Sequence, residues 1–304
     1  MNNSNPPASQ TEEEPGGVGL PAPCVFVNGE AVTNVPVADR GFQYGDGLFE
    51  TLSVTNGRIE FWNRHMARLA EGCARLALPA PDIDVLANEV EVLLNGQRAV
   101  EGVDAGVLKI MVTRGTGGRG YRMPDPIEAT RVVSFHAAPD YPASFARDGI
   151  RVVVCQTRLA EQKRLAGIKH MNRLENVLAR AEWDDPAIAE GLMCDEAGRV
   201  IEGVMTNLFC VNDGTLLTPD LSRCGVAGII RGLVMEIAEE KGIPCRQADI
   251  SLKEALASDD LFLTNSVIGL WPIRYVGDQS FAIGPVTAKI RLALMDRRSA
   301  ETKA

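Results

Sequence analysis

Hydrophobic positions along this chain change period repeatedly, and each change marks an element. Strand patterns come first, over Cys24 to Val27, then Leu48 to Val54 and Arg58 to Trp62. The last two are joined by Asn56-Gly57, the strongest two-residue hairpin signal in the sequence. With Asn63 read as an N-cap, Met66, Leu69, Ala70, Cys73 and Leu76 then recur at helical spacing. Asp82 is expected to cap a second helix carrying Val85, Leu86, Val90, Leu93 and Leu94. Strands over Val107 to Val112 and Arg131 to His136 complete a small unit, and the Pro-bearing run from Ala137 to Pro142 reads as a linker.

The second half is richer in strands: Val152 to Gln156, Leu192 to Cys194, Val200 to Val204, Leu208 to Val211, Leu216 to Thr218 and Leu261 to Thr264. Asp195-Glu196-Ala197-Gly198 and Asn212-Asp213-Gly214 supply turn chemistry between them. Helices are predicted over His170 to Trp183, Val226 to Lys241 with Gly242 as the stop, Leu252 to Leu256 and Thr287 to Met295. The expectation is an α+β protein of two domains. A disordered tail over 1–22 precedes a small N-terminal α/β domain over 23–136, a linker over 137–148 and a larger strand-rich C-terminal domain over 149–304.

Composition narrows the class. A chain of 304 residues, 45% apolar and 23% charged, has ample material for a buried core. A net charge of -9 without any Lys/Arg cluster argues against a nucleic-acid partner, and no apolar run approaches the length of a membrane span. The seven cysteines are scattered with no Cys-x-x-Cys pair, and none of the three histidines pairs with another at ligand spacing. They read as reduced core thiols of a cytoplasmic protein with no metal site. Residues 1–22 lack the basic start and apolar stretch of a signal peptide.

Three places then stand out chemically. Lys169 is an amine in the apolar run Leu165 to Asn176, where a helix is predicted to begin; most lysines are solvated surface groups, although a helix N-terminus disfavours positive charge, so a surface role and a reactive one both stay open from the residues alone. Glu202 alternates with Val200 and Val204, so that strand face is either exposed or carries a carboxylate buried for a purpose. Gly225-Val226-Ala227-Gly228 precedes a helix whose first N–H groups, at Ile229 and Ile230, would favour an anion, although glycine before a helix is common. Gly115-Thr116-Gly117-Gly118-Arg119-Gly120 mimics a nucleotide-binding loop and raises the alternative of a nucleotide-dependent oxidoreductase. Tyr121-Arg122-Met123-Pro124-Asp125-Pro126 does not readily start the helix that such a site needs.

The order of these segments resembles the fold-type IV family of pyridoxal-phosphate enzymes, which holds branched-chain and D-amino-acid aminotransferases and 4-amino-4-deoxychorismate lyases. The resemblance runs from Val25-Phe26-Val27-Asn28-Gly29, through Asp39-Arg40-Gly41-Phe42-Gln43-Tyr44-Gly45-Asp46-Gly47-Leu48-Phe49-Glu50, to Trp271-Pro272-Ile273. Gly167 to Glu175 and Arg114 to Tyr121 are similar to the lyase branch in particular. The resemblance implies that Lys169 holds the aldehyde of pyridoxal 5'-phosphate and that Glu202 keeps its ring nitrogen protonated. It further implies that Gly228, Ile229 and Ile230, with Arg68 and Ser266, bind the phosphate, while Arg119 and Tyr121 bind a substrate carboxylate. From the residues alone, Arg68 reads equally as a solvated charge and the glycine loop as a mobile surface turn. The implied partners are a small-molecule substrate and a second copy in a homodimer. The implied activity is lysis of aminodeoxychorismate or, as the alternative, transamination of D- or branched-chain amino acids. Val204 departs from the small or thiol-bearing residue usual at its position, and no role follows for His170, Asn172 or Arg173.

Overall fold

The computed structural model describes residues 25–101 and 103–301. The expected tail over 1–22, and Cys24, lie outside them. In chain order the first half forms β1 (Val25–Val27), α1 (Arg40–Tyr44), β2 (Gly47–Thr55), β3 (Arg58–Ile59), α2 (Trp62–Leu76), α3 (Ile83–Glu101), β4 (Gly106–Thr113) and β5 (Thr130–Ala137). Its strands make an antiparallel sheet in the order β1-β5-β4-β2-β3. Asn56 and Gly57 take left-handed φ values of 51° and 67°, as a two-residue hairpin requires. Asp82 Oδ1 accepts from the N–H groups of Asp84 and Val85, capping α3 as expected. Met66, Leu69 and Cys73 of α2 and Leu86, Val90 and Leu93 of α3 pack on Leu52, Leu108 and Ile110 of the sheet.

Two boundaries differ from the pattern. The strand after the hairpin stops at Ile59, and α2 starts at Trp62 after a left-handed Phe61 with no side-chain cap, so Asn63 is not the N-cap. Phe61 is buried among Phe209, Ile229 and Leu294 of the second half. Tertiary burial turns the chain there.

The second half forms α4 (Ala143–Asp148), β6 (Ile150–Leu159), α5 (Leu174–Arg180), β7 (Ile188–Asp195), β8 (Val200–Gly203), β9 (Asn207–Asn212), β10 (Thr215–Pro219), α6 (Ile229–Glu240), β11 (Cys245–Ala248), α7 (Leu252–Leu256), β12 (Asp260–Asn265), β13 (Gly269–Val276), β14 (Gln279–Ser280) and α8 (Pro285–Glu301). The mixed sheet runs β11-β10-β9-β12-β13-β6-β7-β8, with β14 on β13. It curls, so that β8 at one end comes back against β9 and β10 near the other. A turn closes this corner, where Gly203 N–H donates to Thr206 O. One face packs on α6 and α8 through Leu233, Val234, Ile290 and Leu294; the other buries Leu192, Leu208, Leu263 and Trp271. Five of the six described cysteines are buried, and all six are free thiols. No described helix is long and apolar enough to cross a membrane.

Both of the expected helices nearest the chemistry start late. α5 begins at Leu174 rather than His170, and α6 at Ile229 rather than Val226. In each case the preceding backbone is bridged to another segment, His170 to Leu48 and Val226 to Gly167. The carbonyls that a longer helix would use as its first acceptors are also engaged: His170 O accepts from Arg173 Nε, Val226 O from Asn207 Nδ2 and Ala227 O from Arg68 Nη1. The polar β11, the Pro272-bearing β13, the two-residue β14 and the short α1 carry weak periodicity and escape sequence reading.

Arg114 is buried at the end of β4, where it donates to Leu76 O and Ala77 O at the C-terminus of α2 and to both oxygens of Asp46. Arg40, also buried, donates to the same carboxylate and to the carbonyls of Gly120, Tyr121 and Arg122. Burial pushes the Asp46 pKa up, but the hydrogen bonds and charges of the two arginines outweigh it and hold it below its ordinary value. Asp46→Ala strands two buried guanidinium groups, and the expected loss is about 3 to 5 kcal/mol of stability in urea unfolding. A loss under about 1 kcal/mol would show that water replaces the carboxylate.

Candidate active site

A cavity of about 610 Å³ opens between the two sheets. Phe49 and Arg68 line it from the first half, and Lys169, Glu202, Gly228 and Ser266 from the second. Six residues scattered over about two hundred positions thus share one wall, and all but Phe49 are among the expected site residues.

Lys169 is not at a helix start. It lies in an irregular segment pinned to β2, where Phe49 N–H donates to Lys169 O at 3.0 Å and Met171 N–H to Gly47 O at 2.9 Å. On its other flank, Gly167 N–H donates to Gly225 O at 2.8 Å and Ala227 N–H to Gly167 O at 2.9 Å. The amine lies 4.3 Å from the centroid of the Phe49 ring. Burial, then the charge of Arg68, bring its pKa down to about 8, against the smaller opposing pull of Glu50 and Glu202. An appreciable share of neutral amine near pH 7 is the requirement for a nucleophile or proton acceptor.

Glu202 is buried, and so is every other residue of β8, which excludes the exposed-face reading. Its Oε2 accepts from Val226 N–H at 2.8 Å and, more weakly, from Asn207 Nδ2 at 3.5 Å. Burial raises its pKa, with the Val226 N–H, Arg173 and Lys169 opposing. A cationic or N–H partner in the cavity would stabilise the carboxylate form.

Gly228 is the N-cap of α6 and provides no side-chain cap; Gly228 and Ile229 line the cavity, whereas Ile230 is buried behind them and does not. A Cβ on Gly228 would come within 2.0 Å of Asn207 Oδ1, so only glycine fits. Arg68 is not a solvated charge: Nε and Nη2 grip Glu50, and Nη1 donates to Ala227 O at 3.0 Å, just ahead of α6. Ser266 Oγ lies 3.3 Å from His65 Nε2.

Arg119 and Tyr121 are not brought into this cavity. Their loop is held by Arg40, and Tyr121 is 85% exposed with its ring 5.5 Å from that of Tyr44. Arg173 does line the cavity, fixed by Nε to His170 O at 2.9 Å and free of any carboxylate among the described residues. Val204 lines it too, and its carbonyl accepts from Asn176 Nδ2. Sequence reasoning passed over Glu50, His65 and Asn207. Glu50 sits between Leu48 and Leu52 on an apolar strand, the same signal that marked Glu202.

A buried amine of lowered pKa, a buried carboxylate and a helix N-terminus without a side-chain cap share one cavity, an arrangement that can carry amine chemistry on an anionic ligand. The chain belongs to the class IV aminotransferase family, whose profile, Amino-transferase class IV, matches residues 47–276. It is 36% identical over 272 residues to an aminodeoxychorismate lyase of Vibrio harveyi, covering 88% of this chain and 97% of that protein. A D-alanine aminotransferase of Listeria monocytogenes is 28% identical over 88% of this chain and 93% of its own length. Among solved structures, 4-amino-4-deoxychorismate lyase from Pseudomonas aeruginosa superposes with a TM-score of 0.83 at 47% identity, covering 90% of this chain and 98% of that one. The α+β, two-domain architecture of the family is therefore that of this chain.

The lowered Lys169 pKa has a measurable consequence for the cofactor-free protein. Its folded value of about 8 lies below the ordinary 10.5, so below pH 8 the fold carries the full cost of a buried charge. That cost disappears as pH rises from about 8 to about 10.5, where the unfolded chain holds a proton the folded chain has lost. In urea unfolding, the stability advantage of Lys169→Met over the parent should therefore shrink between about pH 7 and about pH 10. A difference that stays flat would place the amine in solvent.

Proposed function

We propose that this chain is a pyridoxal-phosphate-dependent lyase that converts 4-amino-4-deoxychorismate to 4-aminobenzoate and pyruvate, with the Lys169 cavity as its active site. The observation that carries the reading is the Lys169 amine, which makes no hydrogen bond among the described residues and shares a cavity with buried Glu202, in a chain closer to lyases than to aminotransferases.

The residues present fit the cofactor. Lys169 suits its aldehyde, Glu202 its ring nitrogen, and the uncapped turn after Gly228 its phosphate. The cavity wall also holds Thr264 Oγ1 and Asn176 Oδ1, both buried without a hydrogen-bond partner. When bound, the cofactor supplies a carbonyl that takes up the substrate amine and a ring that draws electrons from the carbon bearing it.

Lys169 would hold the aldehyde and, once freed by the substrate amine, would be placed to take the proton from the amine-bearing ring carbon. A pKa of about 8 lets the same amine accept and return that proton. Glu202 would keep a hydrogen on the pyridine nitrogen, the condition for electron demand at the reacting carbon. Arg68, Ser266 and the N–H groups of Ile229 and Ile230 after Gly228 would hold the phosphate and orient the group. Expulsion of the enolpyruvyl group leaves an aromatic ring, which makes the step irreversible. Arg119 and Tyr121 serve as carboxylate contacts delivered to the cavity of a second copy in a homodimer; an exposed loop that does not line its own chain's cavity supports that role.

Purified enzyme supplied with 4-amino-4-deoxychorismate and no keto acid should release 4-aminobenzoate and pyruvate in equal amounts over many turnovers, and Lys169→Ala should release neither. Turnover of D-alanine with 2-oxoglutarate, with none of aminodeoxychorismate, would make the chain a transaminase. Glu202→Ala should retain cofactor through Lys169 and the phosphate end while losing about a hundredfold or more in kcat. Near-parent rates would mean that Glu202 does not serve the ring.

A further inference from the structure

The two side chains assigned to the phosphate, Arg68 and Ser266, lie far apart in sequence, yet both lead back to one carboxylate. Glu50 is 1% exposed, and its two oxygens accept from Nε and Nη2 of Arg68. Its Oε2 also lies 2.6 Å from Nδ1 of His65, which is wholly buried. The far nitrogen of the same imidazole, Nε2, lies 3.3 Å from Ser266 Oγ; which of those two donates follows the proton on the ring. The remaining end of the Arg68 guanidinium, Nη1, is tied to Ala227 O ahead of α6. One buried anion therefore sets a cation directly and a hydroxyl one ring further out, both lining the cavity into which the start of α6 opens.

We propose that Glu50 is the positioning residue of the phosphate end of the cavity, acting on Arg68 directly and on Ser266 through His65. The inference rests on the reading above that this end receives a phosphate. Its physical basis is the cost of leaving charges unpaired in a buried site. Arg68 can leave Glu50 only by abandoning a two-point, charge-assisted contact, so its orientation is set before any ligand arrives. Although burial pushes the Glu50 pKa up, Arg68 and His65 outweigh it and bring the value down to about 2, so the carboxylate stays ionised throughout the working range. Strand β2 adds a second constraint. The N–H of Phe49 holds Lys169, and the next side chain, Glu50, holds Arg68. Two adjacent residues of one strand thus set the spacing between the amine and the phosphate end.

The decisive variants keep charge and change reach. Glu50→Asp retains the negative charge near Lys169 but withdraws the carboxylate by one methylene. His65→Asn retains a donor toward Glu50 and removes the contact with Ser266. Binding of pyridoxal phosphate and of pyridoxal, which lacks the phosphate, is measured on cofactor-free protein by visible absorbance. The parent should prefer the phosphate ester strongly. Glu50→Asp should lose about tenfold or more of that preference while pyridoxal binding stays within about threefold, the scale of one charge-assisted hydrogen bond lost at the phosphate alone. Ser266→Ala should weaken the phosphate ester in the parent and change nothing further in His65→Asn, because coupled residues do not add. An undiminished preference in both variants would overturn the proposal, as would equal weakening of both ligands, which marks a merely structural carboxylate. A parent without any preference would instead remove the phosphate end itself, and the proposal with it.

Discussion

Everything at the cavity depends on residues 167–171 being bridged to other segments rather than helical. Four backbone hydrogen bonds tie this segment to β2 on one side and to the Gly225–Ala227 loop on the other. They join the two sheets, and they hold the Lys169 backbone independently of its side chain. A segment continuing the α5 helix back to His170 would break its bridge to Leu48 and draw the Lys169 backbone away from β2. The same bonds delay the start of α6, which leaves its first turn beside the cavity instead of buried in a longer helix.

Charge is arranged around this clamp so that each group is useful where it lies. Arg68 is matched by Glu50, and Asp46 by Arg40 and Arg114, so the structural charges are paired and hydrogen-bonded. Lys169 and Glu202 make no direct ion pair among the described residues, and burial pushes both toward their neutral forms. A buried lysine and a buried carboxylate kept apart are each available to a ligand. Had they paired, their mutual attraction would have to be broken before either could act.

Much of this was legible in the sequence because it is local. Asn56-Gly57 specified its hairpin, Asp82 its cap, and the apolar spacing of α2 and α3 their buried faces. Lys169, Glu202, Arg68, Ser266 and Gly228 were reached through the order of motifs, and they converge on one cavity. What escaped was non-local. The run before α5 reads as helix until β2 claims its backbone, and Phe61 ends β3 by packing against a strand and helices 148 to 233 positions later. Glu50 and His65 carried a readable sign, polar side chains on apolar faces, but their partner Ser266 is brought to them only by the packing of the two halves. Arg119 and Tyr121 lie outside their own chain's cavity, a placement that no pattern within the loop could reveal.

The central claim is that one cavity holds a phosphorylated pyridine by three separate ends. A crystal structure of the protein crystallised with pyridoxal phosphate tests it most directly. The account predicts continuous density from Lys169 Nζ to the cofactor, the ring nitrogen within hydrogen-bond distance of Glu202, and the phosphate against the first turn of α6 beside Arg68 and Ser266. Density attached to another lysine, or a phosphate lying away from α6, would contradict it.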